Sequence, residues 1–119
     1  MKKPVRIILI EDAQASYNEL CVIVEKQLNT GKQQSEEIQL LRSINQKVDF
    51  LKANPFYGNN ILKRNIPSSY NVQNLWRVEL SQFWRMLYTI KGDKIEIICF
   101  ILDILSHKEY DKKFGYKKK

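Results

Sequence analysis

Leu75-Trp76-Arg77-Val78-Glu79-Leu80 and, after Ser81-Gln82-Phe83, Trp84-Arg85-Met86-Leu87-Tyr88-Thr89-Ile90 decide how this chain folds. Both segments alternate in character with a period of two, the repeat of a strand whose side chains point to opposite faces. The three-residue connection predicts an antiparallel hairpin. Alternation then sorts the side chains. Trp76, Val78 and Leu80 share a face, continued on the second strand by Trp84, Met86, Tyr88 and Ile90. Arg77 and Glu79 lie on the other face, with Arg85, Leu87 and Thr89. The first face is expected to carry the core, and Arg77, Glu79 and Arg85 to project from an open face.

Downstream, Lys91-Gly92-Asp93-Lys94 predicts a second tight turn into a third strand, Ile95 to Leu102, with isoleucines on both faces and hence an expected central place in the sheet. A short helix follows from about Ser106 to Phe114. His107 and Tyr110, three residues apart, fall on one side of it. Upstream, Val5 to Ile10 is a β-branched run that predicts a strand. Tyr17, Leu20, Cys21, Val24 and Leu28 recur at helical spacing, and Gly31 is placed to stop that helix in the left-handed conformation. Ser35 with Glu36 and Glu37 suits the start of a second helix, whose buried stripe is Ile38, Leu41, Ile44, Val48 and Leu51. Asn54-Pro55 ends it, and residues 54–74 read as a loop carrying Lys63 and Arg64. The order is β-α-α-β-β-β with a C-terminal helix: a helical hairpin on one face of a mostly antiparallel sheet, an α+β fold. One domain is expected over residues 1–119, with a frayed basic tail from about residue 115.

The bulk properties narrow the function classes. The 119 residues carry 44% hydrophobic residues and a net charge of +7, which is globular composition. No apolar run reaches the roughly 20 residues of a membrane span. The N-terminal apolar run stops at Glu11 with no cleavage site after it, so a strand is expected there and not a signal peptide, and the protein is expected in the cytoplasm. Cys21 and Cys99 sit within apolar patterns and read as small buried hydrophobes, without a metal site or disulfide framework. Residues 1–60 hold 8 Lys and Arg against 7 Asp and Glu, whereas residues 61–119 hold 12 against 6. A basic second half of this kind suits a polyanionic partner, although solubility or an acidic protein partner would produce the same bias.

These motifs carry a family resemblance. Leu75-Trp76-Arg77-Val78, then Trp84-Arg85-Met86-Leu87-Tyr88, then an apolar strand running into His107 and Tyr110, preceded by the helical hairpin and Asn54-Pro55-Phe56-Tyr57-Gly58, resembles the RelE/ParE superfamily of bacterial and archaeal toxins over roughly Val5 to Phe114. The resemblance implies a toxin neutralised by a cognate antitoxin, which is a separate chain. RelE-like members cleave messenger RNA in the ribosomal A site without metal or cofactor, using the RNA 2′-hydroxyl as nucleophile. ParE-like members act on DNA gyrase, and a member that has kept only the fold would be an interaction domain. A homodimer is compatible with each of these readings.

Carried over by position, Arg77 matches a basic residue on the first hairpin strand, and Arg85 matches the arginine that follows the aromatic on the next. His107 and Tyr110 fall where nuclease members place C-terminal His, Arg or Tyr groups. Glu79 stands where the best-known members have a lysine, so it is a candidate base. Lys63, Arg64 and Lys108 are candidate RNA contacts. Such cleavage needs a base for the 2′-hydroxyl, cations for the crowded phosphorane and an acid for the leaving 5′-oxygen. Arg77 and Arg85 supply permanently charged forks, His107 can move a proton near neutrality, and Tyr110 can stack on a base or donate a proton. The bland alternatives are a surface histidine, arginines paired with Glu79 and Asp103, and a tyrosine that merely packs its helix.

Overall fold

The computed structural model describes residues 3–115. Its elements are β1 (Val5–Leu9), α1 (Glu11–Asn29), α2 (Glu36–Ala53), β2 (Asn59–Ile61), β3 (Leu75–Glu79), β4 (Arg85–Gly92), β5 (Ile97–Leu105) and α3 (His107–Lys113). The expected tail beyond Gly115 lies outside the described residues.

The helices start and stop where side-chain chemistry directs them. Ser35 caps α2 by accepting from the Ile38 amide at 3.0 Å, which satisfies one of the donors a helix start leaves over. Thr30 ends α1, and Gly31 follows it at φ +86°, a conformation that a Cβ disfavours. Asn54 leaves α2 in extended conformation ahead of Pro55.

The five strands form one mixed sheet in the order β1-β5-β4-β3-β2. The hairpin pairs Trp76 with Tyr88, Val78 with Met86 and Glu79 with Arg85. β5 runs antiparallel to β4 and parallel to β1, so it lies in the sheet interior. Between Leu87 and Tyr88 the β4–β5 register slips: Leu87 faces Asp103, but Tyr88 faces Ile101. That bulge lets Leu102, Asp103 and Leu105 all serve the same face of the sheet.

Two sequence expectations shift. The loop of residues 54–74 contains a strand, β2, which pairs antiparallel with β3 through Asn59 and Arg77, Asn60 and Trp76, and Ile61 and Leu75. Three residues rich in Asn carry no strand signal of their own; the free edge of β3 recruits them. The last strand also starts and ends later than Ile95–Leu102. The Asp93 carboxylate accepts from the amides of Ile95 at 2.7 Å and Glu96 at 2.9 Å, so the turn extends to Glu96. These hydrogen bonds also lower the pKa of Asp93.

The face under α1 and α2 holds the main core, which includes Leu20, Ile38, Ile44, Leu51, Val78, Met86, Tyr88 and Ile101. Each such aliphatic side chain, once buried, contributes about 1.5–3 kcal/mol relative to exposure. Trp76 and Trp84 pack partly buried against this core, on the face assigned to them by alternation. The opposite face is not open. Leu75, Leu87, Leu105 and Tyr110 form a second core, covered by Ile61, Ile66, Tyr70, Val72, Leu102 and Phe114. Leu87, interleaved between polar residues, is what demands that cover. It draws α3 and the segment after β2 onto the sheet, and so sets the walls of the site.

Candidate functional site

Arg77, Glu79, Arg85, His107 and Tyr110 meet at one end of this second face. The three strand residues are neighbours because Glu79 is paired directly with Arg85 and Arg77 lies one same-face step along β3. The helix residues arrive because α3 begins immediately after β5. A reciprocal capping box fixes its start: Ser106 Oγ accepts from the Glu109 amide at 3.3 Å, and Glu109 Oε1 accepts from the Ser106 amide at 3.0 Å. The first helical residue is therefore His107, and Tyr110 lies one turn along, turned inward.

Tyr110 is the floor of the site. It is 3% exposed, stacks on Phe114 with centroids 4.3 Å apart, and lies beneath both guanidinium groups. The Arg85 Cζ is 4.9 Å and the Arg77 Cζ 5.7 Å from its ring centroid, both within the range of a cation–π contact. Its hydroxyl accepts from Arg77 Nη1 at 3.0 Å. A ring buried in this way cannot stack on a nucleobase, contrary to one expectation. It holds the arginines in place instead.

Arg85 is the hub. Its side chain is only 13% exposed. Nη1 donates to the carbonyl oxygen of Phe83 and lies 3.2 Å from His107 Nδ1. Because arginine can only donate, Nδ1 must accept. The ring proton of neutral His107 is thereby placed on Nε2, which faces Asp111 Oδ2 at 3.2 Å. Asp111 thus joins the site, although sequence reasoning did not select it. The signal was available, since residues four apart share a helix face.

Glu79 stands over the pair, with Oε2 3.3 Å from Arg85 Nε and Oε1 3.9 Å from Arg77 Nε. The carboxylate is 53% exposed, and the buried Arg85 Nε makes an ion pair with it but no hydrogen bond. A half-exposed carboxylate held by charge without directed bonds is readily displaced by another oxyanion. The expected Arg–Glu79 pairing is therefore present, but the expected pairing with Asp103 is not. Asp103 is buried and accepts from the Tyr70 hydroxyl at 2.5 Å, with Lys113 Nζ 3.5 Å away. Burial and this carboxylate push the Tyr70 hydroxyl pKa well upward.

Of the basic residues proposed as RNA contacts, Lys63 and Arg64 occupy a single 3-10 turn after β2, and Lys108 the exposed side of α3. All three are exposed, and none enters the arginine cluster. Arg77 borders two shallow clefts. One is lined by Lys47, Tyr57, Asn59 and Glu79, the other by Asn60, Ile61, Asn65 and Tyr110. Phe83, at the rim beside His107, also went unselected. Among the described residues, no group of three or more His, Cys, Asp or Glu is placed to hold a metal ion, and no helix is long and apolar enough to cross a membrane.

A helical hairpin on one face of a five-stranded mixed sheet, with a short C-terminal helix on the other, makes an α+β fold. Among solved structures the chain is similar to a YoeB/ParE toxin from Agrobacterium tumefaciens, with a TM-score of 0.52 and 15% identity over 86% of this chain and 98% of that one. At that identity the likeness is one of fold. No family model matches the sequence, and no curated protein matches it.

Proposed function

We propose that this chain is a toxin that cleaves messenger RNA on the ribosome without metal, in the cytoplasm, under the control of an antitoxin supplied as a separate chain. The observation that carries this reading is the meeting of two always-charged arginines, a histidine with its own carboxylate partner and a displaceable carboxylate on one tyrosine floor.

The chemistry follows from those contacts. The scissile phosphate takes the place of the Glu79 carboxylate over Arg77 and Arg85, whose forks neutralise the two oxygens that gain charge in the phosphorane. Glu79, swung aside and half in solvent, takes the proton of the 2′-hydroxyl. The 2′-oxygen bonds to phosphorus and the bond to the 5′-oxygen breaks, leaving a 2′,3′-cyclic phosphate and a 5′-hydroxyl. His107 in its charged form gives the 5′-oxygen its proton from Nδ1, which the incoming phosphate takes over from Arg85 Nη1 while that nitrogen keeps its bond to the Phe83 carbonyl. Asp111 steadies the imidazolium through Nε2. Tyr110 is a positioning residue that acts through the two arginines.

Expression of His107→Ala or Arg85→Ala is expected to relieve growth arrest while the protein stays folded. Full toxicity of both variants would remove the nuclease assignment. Arrest with intact messenger RNA and accumulating DNA damage would favour the gyrase-directed reading, and no growth defect at all would favour an interaction domain.

A further inference from the structure

Phe83 sits at the rim of the cluster with 74% of its surface exposed. An isolated exposed aromatic is ordinary, but this one is held out by a strained and anchored turn. Gln82 and Phe83 take φ values of +53° and +64° in succession, which a residue with a Cβ seldom adopts and which persist only where the surroundings impose them. Three contacts impose them. The Ser81 amide donates to Ser43 Oγ at 3.0 Å, Gln82 Nε2 donates to Gln39 Oε1 at 2.8 Å, and Arg85 Nη1 donates to the Phe83 carbonyl oxygen. The first two tie the turn to α2, and the third ties it to the phosphate-binding arginine. With the backbone fixed in this way, the Phe83 ring is offered to solvent 6.2 Å from the His107 ring and tilted 59° to it.

We infer that Phe83 is the stacking platform for a nucleobase flanking the scissile phosphate, and so a specificity-determining residue of the site; this rests on the nuclease reading above. A phosphate on Arg85 brings its attached nucleotides past the ring, because the same guanidinium holds the ring's own backbone. The backbone of the platform is pre-organised, so stacking has only the ring's own rotamers to order. Tyr110, the other aromatic of the cluster, is buried under the arginines and is not available for this task. Stacking accepts every base but favours the larger purines, so a purine preference is expected at the stacked position.

The test is single-turnover cleavage of a short messenger RNA of defined sequence on programmed ribosomes, with the wild-type chain, F83Y, F83A and R85A. It is repeated with messages carrying an abasic ribose at each nucleotide flanking the cleaved bond. F83A is expected to cleave intact message about tenfold more slowly, equivalent to about 1.4 kcal/mol, with an unchanged melting temperature because the ring is exposed. F83Y should stay near the wild-type rate. At one flanking position the abasic ribose should slow the wild-type chain and leave F83A no slower than before. Equal rates for F83A and wild type on intact message, with R85A inactive, would overturn the stacking role and leave the nuclease standing. No cleavage by the wild-type chain would overturn both.

Discussion

Replacing Gly58 by alanine tests whether the loop after α2 is truly welded to the sheet behind the site. A Cβ at that position would lie 2.7 Å from the Arg77 carbonyl oxygen, 2.8 Å from the Tyr88 hydroxyl and 3.0 Å from Tyr88 Cε1. None of these can give way easily. The Arg77 carbonyl belongs to β3 opposite Asn59. Tyr88 is wholly buried, accepts from the Gly58 amide at 3.0 Å and donates to the Pro55 carbonyl at 2.8 Å. Relief requires β2 to peel from β3, which adds the loss of one or two hydrogen bonds, about 1 kcal/mol each, to an overpacking cost of about 1–3 kcal/mol. The expected destabilisation is about 2–5 kcal/mol, a large part of the roughly 5–15 kcal/mol that holds a domain folded.

Two other glycines serve as controls. Gly31 has a φ of +86°, and a methyl group added there would meet nothing within 4 Å, so G31A is expected to cost only the left-handed strain, about 1 kcal/mol. Gly92 has no contact under 3.5 Å and no positive φ, so G92A should be neutral or slightly stabilising, within about 1 kcal/mol. Urea denaturation of the three variants reads the order directly. A G58A midpoint equal to that of wild type, or one less affected than that of G31A, would refute the packing argument.

Three further outcomes are expected. Burial pushes the Tyr88 hydroxyl pKa up to about 12, so the folded chain keeps a proton that the unfolded chain releases near 10; this contribution to stability is intact below about pH 10 and is lost, by about 3 kcal/mol, as pH rises through 12. Denaturation across that window should show the slope, and its absence would contradict the burial of Tyr88. Glu79→Gln should slow cleavage by about 100-fold or more if Glu79 is the base, with RNA held as tightly or more tightly; undiminished cleavage assigns the base to His107. Asp103→Asn loosens Tyr70 and Lys113 together, with an expected cost of about 1–3 kcal/mol and faster amide exchange in α3; an unchanged α3 would show that Asp103 does not anchor it.

Much of the fold was legible because it is written in periodicities. The alternation around Trp76 and Trp84 gave the hairpin and its faces, the apolar stripes gave α1 and α2, and Ser35, Gly31 and Pro55 marked their ends. β2 was not legible, because Asn59-Asn60-Ile61 becomes a strand only when β3 offers an edge. The second core was missed for a related reason. Leu75, Leu87 and Leu105 look like minor members of a polar face until the bulge at Leu87 and Tyr88 aligns them with Leu102. In the site, strand alternation grouped Arg77, Glu79 and Arg85, and the family resemblance set His107 and Tyr110 beside them. Sequence spacing could not tell which of them would be buried, and that decides Tyr110's part as the floor. Phe83 was hidden because its importance lies in backbone torsions that its identity does not encode.

Cleavage of messenger RNA by this chain is read most directly from the ends of cellular messages after induced expression. New 5′-hydroxyl ends opposite 2′,3′-cyclic phosphates inside translated regions are predicted for the wild-type chain, and are predicted to vanish in folded Arg85→Ala. Growth arrest with full-length messages would contradict it.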